Sequence, residues 1–243
     1  MMKIAAILIA VGATLAAQQA PNAFEVASIR PDQSEDRASS SQGTTPGGRF
    51  VATNVSPKLL LIRAFGVVPA QIEGPEWLDA DRYDVNAKAD TSRELSPDEL
   101  RPMLRKLLED RFALRYHRET KTLPVYSLTV AKTGMKMTEH TGADGPSTTF
   151  RNQLGKLILS ARGQSTTNLT LLLGQRLDRT VIDNTGLTGE YDLSLEWGAD
   201  ETADSSLPSI FTALQEQLGL RLESTKGPVE VIVINHVERP SEN

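Results

Sequence analysis

The dipeptide Tyr-Asp occurs at Tyr83-Asp84, within DADRYDVNAKA, and again at Tyr191-Asp192, within TGEYDLSLEW. Each stands at the same place in a longer succession of segments. In the first pass GRFVATNV predicts a strand, and SPKLLLIRAFG predicts a helix capped by Ser56, with Pro57 in its first turn and Gly66 as its stop. Tyr83 to Ala87 predicts a second strand. SPDELRPMLRKLLEDRF then carries a capping box, Ser96 with Glu99, and an apolar stripe of Leu100, Met103, Leu104, Leu107, Leu108 and Phe112. ALRYHRE and PVYSLTVAK predict two strands across a turn at Lys121 to Pro124.

The second pass repeats this order with GKLILSARG, TTNLTLLLGQRL, TGEYDLSLEW, SSLPSIFTALQEQLGLRLE and GPVEVIVINH. Leu220-Arg221 stands for Leu114-Arg115, and Pro228 for Pro124. Recurrence of order and dipeptides together predicts an α+β chain of two tandem duplicated strand-helix-strand-helix-strand-strand units. The sheets are expected to be mostly antiparallel with helices on one face. Neither unit is apolar enough to favour separation, so they share one core or pack as halves. The expected boundaries are a signal peptide at 1–17, a first unit at 22–139, a connecting segment at 140–154, a second unit at 155–238 and a flexible tail at 239–243. The first unit includes the strand AFEVASIRP and an exposed loop, DQSEDRASSSQGTTPGG.

Export is read from the N-terminus, where Lys3 precedes an apolar run from Ile4 to Leu15 and small residues at Ala16 and Ala17. The run is too short for an ordinary spanning helix, so the chain is expected to cross the membrane without being embedded in it. An apolar content of 39% supports a real core. The absence of cysteine excludes disulfides, a lipid-modified cysteine anchor, thiol catalysis and thiolate metal sites. A formal charge of −5 gives the chain no electrostatic pull toward nucleic acid or anionic lipid.

Chemistry-bearing motifs are sparse. No P-loop, Rossmann fingerprint, zinc-protease helix, Ser-x-x-Lys or Gly-x-Ser-x-Gly is present. His117, His140 and His236 are the three histidines, in an Arg-rich strand, a loop and a strand end. No cofactor or metal is implied. By strand alternation Tyr191, Leu193 and Leu195 share one face, while Asp192, Ser194 and Glu196 share the other. Tyr191 is then a core or rim residue, and Asp192 is free for a turn amide or solvent. Recurrence favours a structural joint over a catalytic pair. Binding candidates are Trp77, Tyr83, Arg115, Tyr191 and Asp192, with Trp77 either an edge seal or an exposed anchor.

FEVASIRP, GPEWLDADRYDVNAKA, LRKLLEDRFALRYHRETK, VIDNTGLTGEYDLSLEW and FTALQEQLGLRLESTKGPVEVIVINHVERPSEN together resemble a soil-associated family of bacterial secreted proteins known as a domain of unknown function. The resemblance covers nearly the whole chain after the N-terminal segment. It implies export and kinship with domains attached to membrane sensors of the antibiotic-sensing metallopeptidase type, and it lends no catalytic residues. The expected function is a periplasmic or extracellular binding or interaction module of the bacterial cell envelope. Its partner would be an envelope peptide, glycan or protein, held in a groove between units or at an exposed strand edge. The alternatives are an extracellular hydrolase using dispersed Asp and Glu residues, or a structural envelope protein.

Overall fold

The computed structural model describes residues 23–34, 39–153, 155–198 and 207–240. The segment read as a signal peptide lies outside the described residues. The first half comprises β1 (Val26–Pro31), β2 (Ser41–Thr45), β3 (Arg49–Val55), α1 (Pro57–Phe65), β4 (Ile72–Glu73), α2 (Trp77–Ala80), β5 (Tyr83–Lys88), α3 (Pro97–Arg111) and β6 (Arg115–Val130). The second comprises β7 (Thr138–Glu139), β8 (Ser147–Gln153), β9 (Lys156–Ser165), α4 (Thr166–Leu177), β10 (Val181–Asp183), β11 (Glu190–Gly198), α5 (Ile210–Ala213) and β12 (Leu220–His236). The fold is α+β with mostly antiparallel sheets.

Local chemistry sets the helix ends. Ser56 accepts from the Leu59 N–H at 3.2 Å to start α1, and Gly66 ends it at φ 64°. Ser165 accepts from the Asn168 N–H at 3.2 Å to start α4. At α3 the Glu99 carboxylate accepts from the Ser96 N–H at 3.0 Å, completing the expected capping box. Its stripe from Leu100 to Leu108 and Phe112 is buried against β3 and β5, whose apolar residues alternate inward. Each such side chain contributes about 1.5–3 kcal/mol on full burial.

Among the described residues the strands form three sheets, ordered β1-β5-β3-β2, β10-β6-β12-β4 and β7-β11-β9-β8. Each flanking sheet backs its own apolar cluster, one with α1 and α3, the other with α4 and α5. The central sheet is built across the halves. β6 and β12 run antiparallel along their full length, while β4 joins β12 in parallel and β10 joins β6 in parallel. Ile232, from the last strand, is therefore part of the first cluster.

Four expectations change. The predicted turn at Lys121 to Pro124 does not exist, because β6 is one continuous strand, and β12 is likewise unbroken. Pro124 breaks nothing: Tyr126, of the same parity, donates its N–H to Thr180 on the β10 side, so the missing donor of Pro124 faces away from β12. Residues 41–45, read as loop, form β2, and residues 147–153 of the expected connecting segment form β8. Both are edge strands that bury little, so their sequences lack an apolar signal. The second long helix is short, with α5 continuing into a wider π turn at Leu214–Leu218. That turn points Gln217 at β11, where its amide donates to the Glu196 carbonyl and accepts the Glu196 N–H, both at 2.8 Å. A side-chain amide thus substitutes for a neighbouring strand beyond the short β7.

Candidate functional site

Both Tyr-Asp pairs lie at a β-bulge. The β3–β5 register slips between Ala52 and Val55, and the β9–β11 register slips between Tyr191 and Leu193. Each bulge holds a left-handed residue, Asn54 at φ 54° and Gly163 at φ 56°. Such a residue turns its N–H out of the ladder, and the neighbouring aspartate accepts it: Asp84 from Asn54 at 3.0 Å, Asp192 from Gly163 at 2.9 Å. The tyrosines point the other way and are buried, Tyr83 edge-on to Phe112 with ring centroids 5.5 Å apart, Tyr191 with its hydroxyl against Gly189.

The two joints differ in what completes them. The Asn54 side chain donates to the Ser39 carbonyl, in the segment leading to β2. Gly163 has no side chain, and a Cβ there would stand 3.3 Å from His140 Cδ2. His140 takes over the same task, with Nδ1 2.8 Å from Asp192 Oδ1 and Nε2 3.3 Å from the Asp144 carbonyl, in the segment leading to β8. The ring is 8% exposed. A histidine set on a carboxylate resembles half of a nucleophile-activating triad, but here the second nitrogen faces a backbone carbonyl instead of a hydroxyl.

The Gly163 N–H, followed by the His140 bond and the nearby charges of His140 and Arg162, holds the Asp192 carboxyl below the usual carboxylate range, against an opposing effect of burial. A depressed carboxyl contributes stability above its unfolded value of 3.8 and loses it as pH falls through the folded value. Asp192→Asn is therefore expected to melt below the wild type at neutral pH, with the gap closing as the pH is taken below 3.8. Thermal melts across a pH series test this, and a gap that persists unchanged in acid would remove the carboxylate from the explanation.

Asp192 also opens onto a concavity of about 600 Å³ over the outer face of the sheet β7-β11-β9-β8. Ser147, Thr149, Ser160 and Ser194 supply hydroxyls, Arg162 and Lys136 supply cations, and Asp192 is the one carboxylate of the lining among the described residues. The Lys136 ammonium is tied to the Glu216 carbonyl at 2.6 Å. Outer-face side chains of β8 and β9 thus form the floor, by the same alternation that buries Leu157, Leu159 and Ala161 beneath it.

The sequence-derived candidates fall in three places. Trp77 opens α2 and Tyr83 opens β5; the Arg239 guanidinium lies 4.9 Å from the Trp77 ring centroid and bonds Asp81, between them in sequence, at 2.7 Å. Burial, then the Asp81 charge, push the Tyr83 phenol above its ordinary value. Arg115 is exposed at the start of β6, opposite His236. Tyr191 and Asp192 belong to the other flanking sheet, and of the five only Asp192 reaches the concavity. His140 and Arg162 also belong to this site. His140 offered no spacing signal, whereas Arg162 beside Gly163 in an alternating run is a pattern that marks an outer-face cation next to a bulge.

His117 and His236 lie elsewhere, bonded to Asn235 and Glu238. Among the described residues no three His, Asp or Glu side chains gather as a metal site, and no helix is long and apolar enough to cross a membrane. The fold and this face define a three-sheet α+β protein with a hydroxyl-rich concave surface and, at its edge, a hydrogen-bonded pair of buried His140 and part-exposed Asp192. The protein family described as "Protein of unknown function (DUF3738)" matches residues 58–237, and the chain belongs to it. No curated protein and no solved structure matches the chain.

Proposed function

We propose that this chain is an exported binding module of the bacterial cell envelope, periplasmic or extracellular, and that its ligand meets the concave outer face of the sheet β7-β11-β9-β8. The observation that carries this reading is the concavity itself, with its hydroxyl lining and its cation and carboxylate left at the surface. Such a face offers many directional hydrogen bonds, and among the described residues its lining holds no second acid to pair with Asp192 across a cleft, as a glycosidase requires. His140 is committed at both nitrogens to neighbouring acceptors and serves the joint beneath the face. Export is supported by the charged, apolar and small-residue sections of residues 1–17. Tandem duplication belongs to the same reading, since two flanking sheets of matching strand order each carry a Tyr-Asp bulge joint. Duplication frees one joint to diverge, and the Gly163 and His140 pairing is where the second half departs from the first.

Purified protein passed over arrays of envelope peptides and glycans is expected to retain a defined subset, and Ser160→Arg, which fills the floor of the concavity, is expected to abolish that retention with the melting temperature unchanged. Retention unaffected by Ser160→Arg would move the ligand off this face. A folded protein that retains nothing would remove the reading.

A further inference from the structure

Among the described residues strand β8 is an open edge of its sheet, seven residues long. All seven of its residues are exposed, and it pairs with β9 in unbroken register from Ser147↔Arg162 to Gln153↔Lys156, so no bulge or proline blunts its outer side. The other strands that end a sheet are tied down or short. Arg111 donates to the Ala27 carbonyl of β1 at 3.0 Å, Thr44 of β2 is held by Glu94 at 2.7 Å, and β4, β7 and β10 are two or three residues long.

The side chains around β8 are also distinctive. Arg151 shares the outer face with Arg162, by alternation with Ser147 and Thr149, whereas Phe150 faces inward and is 50% exposed. The Phe150 ring meets Trp197 edge-on at 5.6 Å and the Arg176 guanidinium at 5.9 Å. Among the described residues none of these three arginines forms an ion pair, although Arg162 lies close enough to Asp192 to lower its carboxyl. A net negative chain thus presents, among the described residues, guanidiniums without an ion pair beside an edge open to another strand.

We propose that β8 accepts an extended acidic peptide as an added strand, with carboxylates on the alternate positions that face Arg151 and Arg162 and apolar side chains on those that face Phe150. The proposal rests on the binding-module reading and names its ligand class. Main-chain hydrogen bonds along β8 supply affinity, and the charge and apolar alternation supplies register and orientation. A second copy of the chain is the poorer occupant, because pairing β8 with itself would bring both arginine clusters together.

The probe is a short fluorescein-labelled peptide of alternating glutamate and valine, followed by anisotropy and by amide hydrogen exchange. Saturable binding that weakens with added salt is expected, together with slowed exchange within residues 147–153. The double variant Arg151→Glu, Arg162→Glu, changed at surface positions that leave the core intact, is expected to bind about tenfold or more weakly. Methylating alternate backbone nitrogens of the peptide on its pairing side should abolish binding. Equal binding of a lysine–valine peptide, or no binding at all, overturns the proposal. Binding without protection of residues 147–153 also overturns it and leaves the binding-module reading standing, since the array experiment with Ser160→Arg tests that separately.

Discussion

Gly219→Ala is expected to cost about 3–5 kcal/mol of unfolding free energy, among the largest effects a single methyl group can have. Gly219 stands between the π turn and β12 at φ 65°, where a side chain is already strained. The decisive term is steric. A Cβ there would lie 1.9 Å from the Gly134 carbonyl oxygen, a backbone atom that cannot swing away as a side chain does. Backbone bonds hold that oxygen in place, since the Ala131 N–H donates to the Gly219 carbonyl at 2.8 Å and the Lys136 N–H donates to the Leu218 carbonyl at 2.9 Å. Ala113 occupies the matching place between α3 and β6, at φ 50° but as a residue with a Cβ. There the reverse change, Ala113→Gly, removes left-handed strain and is expected to gain about 0.5–1 kcal/mol, net of the extra freedom it gives the unfolded chain. Chemical denaturation of both variants reads the two signs directly. A Gly219→Ala protein as stable as the wild type would mean the 131–137 turn is not held against the helix end.

The parts of this fold that were legible in the sequence are those whose signal is local. Ser56 closes the start of α1, and Ser96 with Glu99 the start of α3, because a cap bond spans only a few residues, and the α3 stripe repeats on every turn. Recurrence identified Tyr-Asp as a joint, but not what it joins, because the N–H that Asp192 accepts belongs to a residue 29 positions earlier. Strands β2 and β8 were hidden for a physical reason: a strand held mostly by ladder hydrogen bonds has no apolar alternation to display. The candidate site was hidden with them, since its floor consists of serines and threonines on outward-facing positions, a composition shared with any solvated strand. Proline misled in the opposite sense. Read locally, Pro124 marks a turn between two strands; in the sheet, parity turns its missing donor away from β12.

The central sheet makes the second large prediction. A polypeptide of residues 23–131 alone contains β1 to β6 and most of the first core, yet is expected to show no cooperative unfolding transition. β4 pairs with β12, and β6 pairs with β12 and β10, so none of the central strands of the first half finds its ladder partner within that half. Val125 and Leu128, fully buried in the whole protein, would be exposed, and the first core would lose Ile232. At about 1.5–3 kcal/mol for each large side chain, returning these few to water rivals the entire stability of a domain of this size. Residues 132–240 face the same deficit, because β12 and β10 wait on β6 and β4. Mixed or co-expressed, the two pieces should recover one complex and one melting transition, as the ladder from Leu220↔Val130 to His236↔Arg115 re-forms between them. A first piece that melts cooperatively as a monomer would show that the flanking sheet and its helices suffice alone, and that the exchanged strands only fasten together two domains already folded.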